Sequence, residues 1–233
     1  MSDTILLIAL LIPCLVIAIV FHEVAHGLAA KALGDPTASE RGRLTLNPIR
    51  HVDPVGTLLV PGALLLAGAP AFGWAKPVPV NKYRLDNPRF GMMAVAAAGP
   101  GMNFLLAGIG AVVIGILTVI TGEPILREDN VVGVALTMFL LINIFLGLFN
   151  LLPIPPFDGS HIVGGLLPLK LRWHWERLQR FGMVLIFAVI GFSWIFGTGW
   201  LEVTILPVLE WAMGFYVGIA DMIAAPFLSS GAA

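Results

Sequence analysis

The sequence predicts an all-α polytopic membrane protein, and three observations carry that reading. Of the 233 residues, 58% are hydrophobic and only 12% charged, roughly half the charged share of a soluble domain. The apolar residues are gathered into runs near the roughly 20 residues that cross a bilayer core. The 13 Lys and Arg residues all fall between those runs. A disordered chain would be far more polar. No basic block is long enough to follow a phosphate backbone, so nucleic acid is set aside as a partner. The single cysteine, Cys14, offers neither a disulfide nor a cysteine-based zinc site, which leaves His, Asp and Glu to hold any metal.

The first run, residues 4 to 30, lacks the basic start and small-residue cleavage site of a signal peptide and is longer than its apolar core, so it is expected to remain as a spanning helix. Further runs lie at 55 to 72, 91 to 121, 131 to 152, 181 to 197 and 203 to 227, giving five to six transmembrane helices. The run at 55 to 72 is opened by Asp53-Pro54 and interrupted by Pro61-Gly62 and Gly68-Ala69-Pro70, which marks it as a re-entrant segment. With that segment turning back, the loops 31 to 54, 73 to 90 and 153 to 180 share one side and hold twelve of the thirteen basic residues. The positive-inside rule then makes those loops cytoplasmic and puts the N-terminus outside.

Between the second and third runs, Lys76-Pro77-Val78-Pro79-Val80-Asn81 alternates valine with proline. It cannot be helical and reads as a short β element, an edge strand or hairpin whose free side can accept another strand. The run from 91 to 121 is rich in Ala and Gly, which lets neighbouring helices approach closely. Residues 166 to 180 combine Trp173 and Trp175 with four basic residues and read as an interfacial segment.

The chemistry centres on His22-Glu23-Val24-Ala25-His26, an H-E-x-x-H within the first apolar helix. Positions i and i+4 set both imidazoles on one helix face, able to hold one Zn2+, with Glu23 placed to handle the proton of a water. Ionisable side chains at bilayer depth cost about 2.5 to 3.5 kcal/mol each even on insertion scales, which argues against an idle structural role. Catalytic zinc takes three protein ligands. Most other acids, Asp35 among them, fall in loops and read as solvated. Asp158 differs, because it follows the 131 to 152 helix directly, after Pro153, Pro155 and Pro156 break it and before Gly159 allows a tight turn. His22 lies nine residues before Lys31, about 13 Å from the cytoplasmic end of its helix, and the broken helix end approaches the same half. Asn103 and Asn150 sit at matching depth, where each either donates to the oxyanion of a tetrahedral intermediate or bonds a neighbouring helix. Asn143 reads as packing, His161 as a loop or outer ligand-supporting residue, and His51 and His174 as surface residues.

With these motifs in order, the chain resembles the site-2 protease family of intramembrane zinc metalloproteases. The resemblance rests on His22-Glu23-x-x-His26 in a membrane helix, on Gly99-Pro100-x-x-Asn103, and on Asn150-x-x-Pro153 with Asp158-Gly159 at the end of a later helix. It covers about residues 20 to 160. It implies zinc held by His22, His26 and Asp158, Glu23 as general base, cleavage of transmembrane protein substrates inside the lipid bilayer of a bacterial-type cell membrane, and a membrane-associated β element in the Lys76 to Asn81 stretch. It also implies one membrane domain over residues 1–233, with the catalytic core at about 4–160 and a C-terminal helical hairpin at about 181–227. The chain departs from larger members in leaving no room for a PDZ or CBS domain. The competing expectation from the same residues is a membrane metal-binding or ion-transport protein, in which intramembrane His and Asp pass an ion.

Overall fold

The computed structural model describes residues 3–68, 72–197 and 199–228. Its α-helices are α1 (Asp3–Ala32), α2 (Thr37–Glu40), α3 (Val60–Leu66), α4 (Pro88–Thr121), α5 (Val131–Asn150), α6 (Asp158–Leu166), α7 (Leu169–Gln179), α8 (Gly182–Phe196) and α9 (Trp200–Leu228). The all-α polytopic class holds. Four helical stretches are long and apolar enough to cross a membrane, Thr4–Ala32, Pro88–Thr121, Val131–Asn150 and Val203–Phe227, and a fifth arises if α7 and α8, bent by 66°, form one broken span. Large apolar side chains such as Ile5, Ile8 and Ile12 on α1 and Val203, Trp211 and Phe215 on α9 are exposed, as a lipid-facing surface requires.

A sixth span is not present among the described residues. Asp53 accepts hydrogen bonds from the N–H groups of Val55 and Gly56 at 2.9 and 3.0 Å and so starts a helical stretch at Pro54. That stretch is π-helical to Leu59 and α-helical to Leu66. It covers about 20 Å at 1.5 Å per residue, short of a bilayer core of about 30 Å. Residues 69–71 of the expected 55 to 72 run lie outside the described residues. The expected β element is likewise corrected: no β strand occurs among the described residues, and 72–81 runs as irregular chain. Pro77 and Pro79 lack the N–H groups that a paired ladder needs.

The chain divides into two compact units. The first takes residues up to Ala18, Gly101–Leu148 and the residues from Glu202 onward. Its core is Ala107, Ala111 and Ile114 of α4, Leu140 and Ile144 of α5, and Leu209, Ala212 and Ala220 of α9. Small residues bring these helices together: a Cβ on Gly115 would stand 2.8 Å from the Ala220 carbonyl oxygen and from Ile223 Cβ. Asn103 and Asn143, both fully buried, tie α4 to α1 and α5. Asn103 Nδ2 donates to the Ala18 carbonyl and to Asn143 Oδ1, each at 3.1 Å, and Asn143 Nδ2 donates to the Phe139 carbonyl at 2.9 Å.

The second unit comprises Ile19–Pro100 and Phe149–Leu201. Gly34, at φ +97°, ends α1 in the left-handed conformation that glycine adopts freely. Beyond it Asp35, expected to be solvated, is fully buried. Its Oδ2 accepts from Asn81 N–H at 2.6 Å, and its Oδ1 accepts from Thr37 N–H at 3.0 Å and from the Thr37 hydroxyl. Burial works to raise this carboxyl's pKa, but those hydrogen bonds and the Arg84 charge hold it below the ordinary aspartate value. Ala30 at the end of α1 packs with Leu85 and Val95, joined by Leu33, Val80 and Met92. Asp35 and this cluster bind the 80–86 turn to the end of the helix that carries the two histidines.

Candidate metal centre

Both histidines of the motif are buried on α1, with 7% of His22 and 9% of His26 exposed. Their rings meet edge to face with centroids 4.6 Å apart, and the two Nε2 atoms are 3.0 Å apart. His26 Nδ1 lies 2.7 Å from the Val95 carbonyl oxygen. A carbonyl only accepts, so Nδ1 carries the proton and donates, which leaves the Nε2 lone pair for a ligand. Gly99, one turn further along α4, makes room for this pair. A Cβ there would stand 2.5 Å from His26 Cε1 and Nε2 and 2.6 Å from His22 Cε1.

Asp158 opens α6 after the proline-rich break that follows α5. Its neighbour must be small, since a Cβ on Gly159 would lie 2.2 Å from the Leu151 carbonyl oxygen. Asp158 Oδ2 is 3.2 Å from His22 Nε2 and 3.3 Å from His26 Nε2. It is buried and makes no hydrogen bond of acceptable geometry. The sequence-expected ligands therefore come together in one cluster, with a ligand atom from each of His22, His26 and Asp158 mutually close. Bonds of about 2.0 to 2.1 Å in a tetrahedron give ligand-to-ligand edges of about 3.3 Å. The observed triangle has that size, so these three residues would fit a zinc ion as its protein ligands.

Glu23 lies outside the triangle. Its Oε2 accepts the N–H of buried Val78 at 2.8 Å, so the Lys76 to Asn81 stretch does meet the motif, through its backbone. Gly27, one turn on, admits this contact: a Cβ there would be 2.9 Å from Val78 Cγ1. Asn150 closes α5 and is half-buried in the same unit as the triad. Asn103 belongs to the other unit and has both amide hydrogens engaged there, so an oxyanion role would require it to release one of those bonds. His161, in the first turn of α6, has Nδ1 3.4 Å from Gln179 Nε2. His51 is not a surface residue. It is 3% exposed, Nε2 lies 2.8 Å from the Thr45 carbonyl oxygen, and its own carbonyl accepts the Lys76 N–H at 2.9 Å. Sequence reasoning missed it, as it missed the Val95 carbonyl, and it named Gly99 only as part of the Gly99-Pro100-x-x-Asn103 motif, because each acts through which segment it faces.

The family model of Peptidase family M50 matches residues 115–192, a stretch that includes Asn150 and Asp158 and excludes the histidine motif. "Putative zinc metalloprotease YwhC" of Bacillus subtilis is 37% identical over 180 residues, 77% of this chain and 78% of that protein. "Putative zinc metalloprotease Rip2" of Mycobacterium tuberculosis is 31% identical over 143 residues, 61% of this chain and 51% of that protein. The protein of the same name from Mycolicibacterium smegmatis is 30% identical over 138 residues, 59% of this chain and 49% of that protein. The chain thus spans about half the length of the mycobacterial relatives. No solved structure matches. On the YwhC similarity and the family match, the chain belongs to peptidase family M50, the site-2 protease family.

Proposed function

We propose that this chain is an intramembrane zinc metallopeptidase that hydrolyses peptide bonds within the transmembrane segments of membrane proteins. The observation that carries the reading is the His22, His26 and Asp158 triangle with edges of 3.0, 3.2 and 3.3 Å beside an acid that is not part of it. Membership of a peptidase family sets aside the ion-transport alternative. Zinc in such a site supplies Lewis acidity, polarising a carbonyl and lowering the pKa of water toward about 7. The chain's own residues do the rest. The Val95 carbonyl and Gly99 fix the imidazoles, and the Val78 N–H holds one oxygen of Glu23. The other oxygen, Oε1, takes a proton from the attacking water and passes it to the departing amine. A helical substrate has its carbonyls tied up in its own hydrogen bonds, so it must be unwound before attack, and the 76–81 stretch lies where an extended segment would reach Glu23.

The ligand assignment predicts one zinc per purified chain, lost in His22→Ala, His26→Ala and Asp158→Asn. Elemental analysis checks it, and full zinc in the Asp158→Asn protein would show that another acid completes the site. We also propose that the loops 31 to 54, 73 to 90 and 153 to 180 are cytoplasmic. A cysteine placed at Lys82 in a Cys14→Ser background should react with an impermeant thiol reagent from the cytoplasmic side. Reaction from the outside alone would reverse the loop's placement.

A further inference from the structure

The helix that Asp158 opens, α6, has nine residues, fewer than the roughly 12 to 15 that sustain a helix in isolation, so its position is set by what grips it. Asp158, at its N-terminal end, meets His22 and His26. At the other end of a helix the last carbonyls have no partner within it, and here one side chain takes them. Arg89 Nε donates to the Gly165 carbonyl at 2.6 Å, and its Nη2 donates to the Leu167 carbonyl at 3.1 Å and, at 3.5 Å, to that of Leu166. A guanidinium in this place also meets the negative end of the helix dipole. Arg89 forms no ion pair with a carboxylate among the described residues, so these carbonyls are what it is aimed at. Its own position is fixed, because Asn87 Oδ1 accepts the N–H groups of Arg89 and Phe90, each at 3.1 Å, where α4 begins at Pro88. Gly165 lets the two helices touch: a Cβ there would stand 2.1 Å from Met93 Cγ and 3.4 Å from the Arg89 carbonyl oxygen.

We propose that Arg89 is a positioning residue of the metal centre: by holding the C-terminal end of α6 against the start of α4, it sets where Asp158 stands relative to the two histidines. The inference rests on the ligand assignment above and adds to it the group that places the third ligand. All three ligands then take their positions from one helix. The Val95 carbonyl and Gly99 of α4 seat the imidazoles, and Arg89 of α4 seats α6. From Gly165 back to Asp158 is seven residues, about 10 Å of helix, while from Arg89 to Val95 and to Gly99 is six and ten residues, about 9 and 15 Å. Counted from the same guanidinium, the carboxylate stands level with the part of α4 on which the rings lie. Without Arg89, α6 keeps its hold at Ser160, whose carbonyl accepts Trp175 Nε1 at 2.7 Å, but its far end is free to swing. A short rigid helix pivoting there carries its first residue with it, and zinc–oxygen bonds of about 2.0 to 2.2 Å leave little room for that.

The test uses the full chain, purified in detergent and stripped of metal, and reads metal binding with no peptide present. Zn2+ affinity is measured by chelator competition, and the visible d–d bands of the Co2+-loaded protein report the number and arrangement of the ligands. Arg89→Ala is expected to weaken Zn2+ binding by about 10- to 100-fold, the range for groups that orient ligands, and to move the Co2+ bands in the direction that Asp158→Asn moves them. Arg89→Lys keeps the charge and a donor but not the planar fork, so its affinity should fall between those of Arg89→Ala and the wild type. Arg127→Ala, which removes bonds to Asp129 and Glu123 in the other unit, is the control for loss of an arginine and should bind as the wild type does. Wild-type Zn2+ affinity in Arg89→Ala overturns the inference. So does weakened affinity with unmoved Co2+ bands, or an Arg89→Lys protein that binds no better than Arg89→Ala, since a general loosening of the fold produces either. If Arg89→Ala does not fold, Arg89→Gln, with one amide donor in place of the fork, takes its place under the same readouts. Co2+ bands that Asp158→Asn leaves unchanged overturn the ligand assignment and this inference with it, whereas bands moved by Asp158→Asn and not by Arg89→Ala overturn this inference alone.

Discussion

The Glu23→Gln protein is expected to keep one zinc per chain while its cleavage of a transmembrane substrate falls by about 10² to 10⁴-fold, the worth of general acid–base catalysis. The substitution changes little else. Glutamine is the same size, and its amide oxygen can accept the Val78 N–H that Glu23 Oε2 accepts at 2.8 Å. Glu23 is absent from the cluster of close ligand atoms, so the two imidazoles and Asp158 remain to hold the ion. What disappears is the oxygen that can take a proton. Zinc content by elemental analysis, measured beside cleavage, separates the outcomes. Cleavage at the wild-type rate would remove Glu23 from the mechanism, and loss of zinc together with activity would make it a ligand.

Gly99→Ala should fail in the opposite way, losing metal first and activity as a consequence. The added Cβ would stand 2.5 Å from His26 Nε2 and Cε1 and 2.6 Å from His22 Cε1, distances at which carbon atoms repel strongly. These rings cannot yield cheaply, since His26 is pinned through Nδ1 to the Val95 carbonyl of the same helix at 2.7 Å. Disturbing the groups that orient metal-binding histidines costs about 10- to 100-fold in affinity, and a blocked ring position should reach at least that range. A chelator-competition titration measures it. Gly101→Ala is the control on the same helix, since a Cβ there meets nothing within 4 Å. Equal zinc affinity in the two variants would show that the rings do not depend on Gly99.

The residues proposed as ligands, which the structure brings together, stand out in the sequence because their signal is local. His22 and His26 declare themselves by spacing on one helix, and Asp158 by standing where three prolines end an apolar run. The residues that hold those ligands carry no such signal. Gly99 is visible in the sequence only as the start of the Gly99-Pro100-x-x-Asn103 motif, and its spatial role exists only because the histidines of α1 face it. Asp35 and His51 look like loop residues open to water. Their burial comes from the chain at 76–81 folding back on them, with Asn81 N–H on Asp35 and Lys76 N–H on His51. The expected five to six spans narrow to at most five among the described residues for a related reason. Its prolines and glycines already marked 55 to 72 as interrupted, and the Asp53 cap and a stop at Leu66 leave a helix too short to cross. The 76–81 stretch was rightly read as non-helical, but its backbone partners proved to be side chains and single carbonyls instead of a second strand.

The distance along the chain between the parts of the site bears on how the protein is made. Two imidazoles emerge early in synthesis, by residue 26. The Val78 N–H that holds Glu23 comes some fifty residues later, and Asp158 only after α4 and α5 have been produced. Closing loops of this length carries an entropic cost that only the packed helices repay. On the proposed assignment, a nascent chain that has not yet delivered α6 holds two of the three ligands and Glu23. On that assignment, zinc-dependent activity would be expected only once Asp158 has joined the two histidines.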